Sequence, residues 1–349
     1  MNFRSAARLQ AESCRRLGAP FMARLCTFFA ERLQTGGTAA DRVLAWTGDR
    51  SSRGDAVPLR LAAALHALVL RGACPRLATV YPPFPATDSA LEAEIERALG
   101  AHPAVILDWL DSSPQTNEVR RSAGLIPAFH ELAQRYQLPL ATSELGASAG
   151  LNANWPAYRL QLPGDSLGDD AAALLLKPRW RGPLPPQKSP DVAARTACDL
   201  NPLSPADPAS RLRLLSYLWP DQPDRLALMR AALDVAARTG LAVQKADAAD
   251  WLESRLHHPR KRHLHVVYHT IVWQYFPDHV ARRCLDLLQT AGANATPDAP
   301  FAWLRIEADT RQDGAPILLT QWPGGDTHTL GRMDFHGRWV TWQGLPAPV

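Results

Sequence analysis

Residues 138–152 read LPLATSELGASAGLN, and the order of residue types in this run sets the expectation for the rest of the chain. An apolar stretch from Leu138 to Ala141 leads to an acid, Glu144. Small residues follow from Gly146 through Ala147, Ser148 and Ala149 to Gly150, and Leu151 and Asn152 are placed to open a helix. The expected local structure is strand, tight turn, helix. Missing side chains let a ligand approach the backbone, and a helix N-terminus offers free N–H groups to an anionic or polar group. An acid at the strand tip suits a ribose hydroxyl or an ammonium group.

Three readings compete for this run. The first is a cofactor loop for a nucleotide-like ligand. The second takes Gly146 to Gly150 as G-x-S-x-G, the elbow that presents a nucleophilic serine, with Glu307 or Asp309 and then His328 or His336 completing a triad. The third is packing alone, small residues letting a helix approach a sheet. The region before the run reads as helical and no H-G-G-G-type oxyanion segment occurs, which weighs against a hydrolase.

The chain has 349 residues, 46% hydrophobic and 21% charged, with a formal net charge of only +4, so it has apolar material for one large domain or two ordinary ones. The one concentrated basic run, His257 to His263, reads as a solvated loop rather than a nucleic-acid site. Five cysteines (Cys14, Cys26, Cys74, Cys198, Cys284) lie far apart with no C-x-x-C pair, so neither a zinc cage nor a disulfide framework is expected. No metal site is expected from the His, Asp and Glu spacing either. No run approaches the roughly 20 apolar residues of a membrane span, and a cytoplasmic protein acting on a small molecule is the expectation. Oligomeric state is not legible.

Residues 1–135 read mainly as helix, with apolar positions at helical spacing over Ala6–Leu33, Ala56–Leu70 and Ser89–Leu99. After Leu138 short apolar runs alternate with helical stretches, through strands at Arg195–Asp199, Leu241–Ala246, Leu264–His269 and Phe301–Ile306. Helices are expected over Ser210–Leu218, Pro223–Arg238, Ala249–Leu256 and Asp278–Thr290. Two final strands, Ile317–Trp322 and Arg338–Trp342, have nothing helical between them and are expected to pair antiparallel. This rhythm predicts an α/β fold, Rossmann-like, with a mainly parallel sheet of seven strands or so over residues 136–349 and a helical region before it. Between Glu144 and Asp199 lie about 55 positions where a βαβ unit needs roughly 30. The proline- and glycine-rich residues at about 158–192 are therefore expected to be an insertion containing a small hairpin.

Three acid-tipped strands follow in order, Glu144, Asp199 and Asp247, and with the terminal hairpin they resemble the class I S-adenosylmethionine-dependent methyltransferases. Glu144-Leu145-Gly146-Ala147-Ser148-Ala149-Gly150 is similar to that family's acid-x-G-x-G-x-G loop, with Ser148 in place of the middle glycine. Asp199-Leu200-Asn201-Pro202 resembles its second motif and Ala246-Asp247-Ala248 its third. The resemblance implies that S-adenosylmethionine would be held by the loop, its ribose by Asp199 and its adenine by Asp247 and Ala248. A closer resemblance is to a bacterial family of unknown function that carries the E-L-G-A-S-A-G-L-N run. It also has T-N-E (Thr116 to Glu118), W-P-D-Q (Trp219 to Gln222) and H-x-x-x-W-Q-Y (His269 to Tyr275) segments.

The remaining roles follow from position. His269 ends a predicted strand where such enzymes meet substrate, and its ordinary pKa suits it to accept a proton from a nucleophile. Trp273 and Tyr275 just beyond would wall the acceptor pocket, or cover the sheet. Asn117 and Arg121 precede the signature strand, Arg121 being able to pair with a cofactor carboxylate. Against these stand plain structural roles: helix caps for Asp199, Asp247 and Asn117, and a backbone-satisfied histidine for His269. The N-P-P-Y-type motif of amino-methylating enzymes is absent, since His269-Thr270-Ile271-Val272 occupies its place, which argues against nucleic-acid bases as acceptors. A protein that keeps the fold and binds without catalysing is the alternative.

Overall fold

The computed structural model describes residues 1–52, 54–311 and 313–346. The chain forms two compact units, one of residues 1–116 with 207–230 and the other of residues 117–206 with 231–349.

The first unit is helical. Its central helix, Val57–Leu70, buries almost its entire circumference, as expected of a segment that is apolar on all sides. Helices Phe3–Arg16, Pro20–Glu31, Asp88–Ala101 and Pro103–Asp111 contribute to the same core. The helical run expected over Ala6–Leu33 is two helices, and the break has a clear cause. Gly18 adopts φ 76°, its N–H reaches Arg15 O at 3.1 Å, and Ala19 N–H reaches Cys14 O at 2.9 Å. That is a Schellman termination, after which Pro20 starts the next helix at its first turn. Helix Pro208–Ser216 completes this unit. Ser216 Oγ accepts from Trp109 Nε1 at 3.0 Å, and Ser216 O lies 3.2 Å from His66 Nδ1. Asp221, in the W-P-D-Q segment, accepts from Phe21 N at 2.8 Å and so serves an otherwise unpaired amide of helix Pro20–Glu31.

The second unit is α/β. Its strands, in chain order, are β1 (Leu140–Leu145), β2 (Tyr158–Leu162), β3 (Asp165–Leu167), β4 (Leu174–Leu176), β5 (Arg179–Arg181) and β6 (Val192–Asp199). They continue with β7 (Val243–Lys245), β8 (Leu264–Thr270), β9 (Phe301–Ile306), β10 (Ala315–Trp322), β11 (Asp326–Met333) and β12 (Trp339–Trp342). The main sheet has nine strands in the order β5-β12-β11-β10-β9-β8-β1-β6-β7. Strands β7, β6, β1, β8 and β9 run parallel, and β9 to β12 are antiparallel neighbours. This is the expected mainly parallel sheet with a C-terminal antiparallel portion. The order places the reversal of winding between β1 and β8.

Two expectations need correction, and a third holds with an addition. The last strands do not pair with each other, because β11 lies between them and pairs with both. Its sequence, DTHTLGRM, is polar on both faces in its first half, so it shows no alternation to read. The insertion does contain a hairpin, β2 with β3, joined by β4 into a separate small sheet. Its end, β5, runs on to the far edge of the main sheet beside β12. Finally, Leu151 and Asn152 open no α-helix; a 3₁₀ segment, Asn152–Ala157, follows the loop instead.

Helices cover both faces of the sheet. Ala248–Leu256 and Asp278–Ala293 pack on one face around Trp251, Leu252, Cys284 and Leu288. On the other, Ser122–Tyr136 places Phe129 against Trp155 (centroids 4.2 Å apart, stacked) and edge-on to Tyr268. Gly292 in the Asp278–Ala293 helix lies against the Trp322 ring, where a Cβ would overlap it. Gly292→Ala is therefore expected to cost about 1–3 kcal/mol in urea unfolding, although alanine's helix preference alone would contribute about 1 kcal/mol the other way. A gain in stability would show that this contact is not tight.

Candidate ligand site at the strand reversal

The signature run delivers its loop to the carboxyl ends of β1, β6 and β8. Gly146, Ser148 and Gly150 all have positive φ (65°, 54° and 71°), so the loop alternates through the left-handed region. Glycine takes that conformation freely, whereas Ser148 is strained in it. Ser148 is buried, and its Oγ has no hydrogen-bond partner among the described residues.

The loop amides are held by side chains from distant segments. Ser148 N–H donates to Asp199 Oδ2 at 2.8 Å, and Asp199 Oδ1 accepts from Asn201 N at 2.8 Å. Asn117 Oδ1 accepts from Ala149 N (3.2 Å) and Leu151 N (3.0 Å), which gives the T-N-E segment a role as the clasp of the loop. Asn152, also buried, accepts from Ser122 Oγ at 2.8 Å and donates to Glu118 O at 3.3 Å. Gly146 packs under Val272, whose methyl groups fill the space a Cβ would need. Val272 follows Ile271, a β-branched residue held at φ 49°. Two strained non-glycine residues thus flank the strand reversal, and such strain collects at functional sites.

The three acids differ in placement. Glu144 is only 2% exposed and sits opposite Tyr268 in the parallel ladder, whose hydroxyl donates to Glu144 Oε2 at 3.2 Å. Burial raises its carboxyl to about 8, with the Asp199 charge adding to the shift, so it is protonated at neutral pH. It lies within the sheet rather than at a ligand-facing tip. Asp199 is partly exposed. Asp247 caps helix Ala248–Leu256, accepting from Ala249 N (2.8 Å) and Asp250 N (3.3 Å), and Ala248 opens that helix. Arg121 ties the tip of β8 to the segment after β11, donating to Thr270 O (3.2 Å) and Phe335 O (3.1 Å).

His269 is fully buried, and both of its ring nitrogens are engaged. Trp303 Nε1, which can only donate, reaches His269 Nε2 at 3.0 Å. The ring proton therefore sits on Nδ1 and is donated to Glu307 Oε1 at 2.7 Å. No ring nitrogen is left to take a proton from a substrate, which corrects the expected role as a base. The ring stacks on Trp273 at 4.9 Å, so the H-x-x-x-W spacing builds a packed cluster. Tyr275 projects from the 3₁₀ turn Trp273–Tyr275 and is 65% exposed.

The serine triad is not assembled. Glu307 belongs to His269 and Val272 N, Asp309 pairs with Arg332 at 2.8 Å, and no histidine is bonded to Ser148 Oγ. Among the described residues, no group of three or more His, Cys, Asp or Glu side chains could hold a metal ion. No helix among them is long and apolar enough to cross a membrane. Sequence reasoning missed Tyr268 and Trp303. Tyr268 had a signal, since alternation along a strand puts the neighbour of His269 on the opposite face.

A protein-family model described as "Uncharacterized protein conserved in bacteria (DUF2332)" matches residues 4–342, and the chain belongs to that family. No curated protein and no solved structure matches it.

Proposed function

We propose that this member of a bacterial family binds a nucleoside cofactor of the S-adenosylmethionine type at the reversal between β1 and β8, and that methyl transfer to a small molecule follows. Ser148 carries the reading. A strained backbone and a buried hydroxyl without a partner are both costly, and they sit in the loop of an open α/β sheet where ligands gather. Asp199 fits the ribose role: two of about four acceptor positions on its carboxylate are used, which leaves capacity for two hydroxyls. Asp247 and Ala248 stand at the tip of the next strand, in place for an adenine edge. The bound group would supply an activated methyl on a sulfonium. The protein would supply orientation and exclusion of water, with Tyr275 exposed three residues beyond the Val272 that covers Gly146. Glu144, neutral and enclosed, supports the loop from below.

The engagement of both His269 nitrogens favours a second reading, a module that binds the nucleoside without catalysing. An acceptor that is already a good nucleophile needs no base, so the two readings differ in turnover rather than in binding.

Calorimetric titration with S-adenosylmethionine and its demethylated product, with NAD as comparison, tests both. Saturable binding of the first two is expected. Ser148→Gly should weaken it by about tenfold while stabilising the free protein by about 1 kcal/mol, because relief of the left-handed strain and of the orphaned hydroxyl outweighs the added chain entropy. Absence of binding to folded protein, or a Ser148→Gly variant that binds unchanged, would remove the support for a cofactor here.

A further inference from the structure

The basic run after helix Ala248–Leu256 does more than face solvent: with His257, His258 and Arg260 it closes one wall of a cavity of ≈ 300 Å³. This cavity lies at the amino-terminal ends of β8 and β9, the opposite end of those strands from the loop of Gly146 to Gly150. Leu256, Leu287, Pro300 and Phe301 give it an apolar body. His265 lines it too, edge-on to Phe301 at 5.7 Å, with Nε2 fixed 2.9 Å from Ser143 Oγ. Burial, together with the charges of Arg260 and Arg255, pushes that imidazole down to about 3, so the positive charge of the wall comes from Arg260.

The two arginines are incompletely satisfied. Arg255 lies over the Trp251 ring at 5.8 Å, and the Nε of Arg255 and the Nε of Arg260 are both buried with no hydrogen-bond partner. Burial and the nearby Arg260 charge pull the Arg255 guanidinium below its ordinary range. Glu253 lines the cavity, but its carboxylate is taken by Arg283. Among the described residues no carboxylate pairs with Arg255 or Arg260. Arg260, which lines this apolar cavity with a buried and unpartnered Nε and has a second guanidinium near it, suits an anion whose remainder is apolar.

We propose that this cavity is a second binding site, for a small organic acid whose apolar body lies against Phe301, Leu256 and Leu287 and whose carboxylate accepts from Arg260, with the Arg255 charge close by. It does not depend on the nucleoside reading of the loop.

The test is calorimetric and thermal-shift titration of the full chain with phenylacetate and 4-methylpentanoate, against the neutral isostere 2-phenylethanol and inorganic phosphate. At least one acid is expected to bind saturably and raise the melting temperature, and 2-phenylethanol to bind at least about tenfold more weakly. Arg260→Gln should weaken the acid by about tenfold or more with an unchanged circular dichroism spectrum, and Arg260→Lys, which keeps the charge but not the guanidinium fork and should show a smaller loss, serves if Arg260→Gln folds poorly. Neither variant should alter titration with S-adenosylmethionine. Four results would overturn the proposal: neither acid binding at millimolar concentration, the alcohol binding as well as the acid, phosphate stabilising as much as the acids, or both arginine variants leaving affinity unchanged.

Discussion

Glu144→Gln is expected to become progressively more stable than the natural protein as pH rises from about 4.5 to about 8, by about 4 kcal/mol at the upper end. The sign follows from where the proton sits. Below pH 4.5 the carboxyl is protonated whether the chain is folded or not, so the stability of the burial is fully present. Above that the unfolded chain ionises while the folded one holds its proton, and stability falls by about 1.4 kcal/mol per pH unit. Past about 8 the folded form ionises too and the loss is complete. Glutamine stays neutral throughout, and its carbonyl can still accept from the Tyr268 hydroxyl. The difference between the two proteins is the quantity to measure, by urea unfolding across pH. Burial lowers His66 and His130 to about 4 and His265 to about 3, and these groups make the folded state lose stability as pH falls below 6.5. They cancel in the difference. A flat difference would mean that Glu144 is ionised in the folded protein.

The second large effect is expected at Glu307. Its Oε1 accepts from His269 Nδ1 at 2.7 Å and from Val272 N at 3.0 Å. Glu307→Ala leaves two donors without a partner and should cost about 2–4 kcal/mol. Glu307→Gln keeps an acceptor oxygen with two lone pairs and should cost about 1 kcal/mol. Equal losses in the two variants would show that packing, and not the shared oxygen, is what Glu307 supplies. The alanine variant should also free the Ile271–Val272 segment, since the amide after the strained Ile271 loses its anchor. Amide hydrogen exchange at Val272 reads that directly.

The fold was legible where local pattern and long-range packing agree. The parallel strands announce themselves as short apolar runs ending in Glu144, Asp199 and near Asp247, separated by helical stretches. β11 was not legible, because a strand polar on both faces in its first half has no period to detect. The split of the first helical region is written in Leu17-Gly18-Ala19-Pro20, a stop followed by a start, a signal that the apolar spacing running across it masks. The site was only partly legible. That Ser148 and Asn117 belong to one loop region could be read, whereas their bonds depend on residues about 30 to 50 positions away. Likewise nothing near His269 reveals that Trp303 and Glu307 consume its ring. Periodicity tells which face of a helix is buried but not against what, which is why Pro208–Ser216 could not be assigned to the helical unit from sequence.

That assignment bears on how the chain is made. The helical unit is discontinuous: residues 1–116 leave the ribosome before its other part, which ends at Arg230, 114 residues later. At about 5–20 residues per second that is a wait of roughly 6–23 s. During it, Trp109 Nε1 and Phe21 N lack Ser216 Oγ and Asp221, the groups that satisfy them. Over that interval the core of residues 1–116 also lacks Tyr217 and Trp219, so the unit is completed only after β6 has been made.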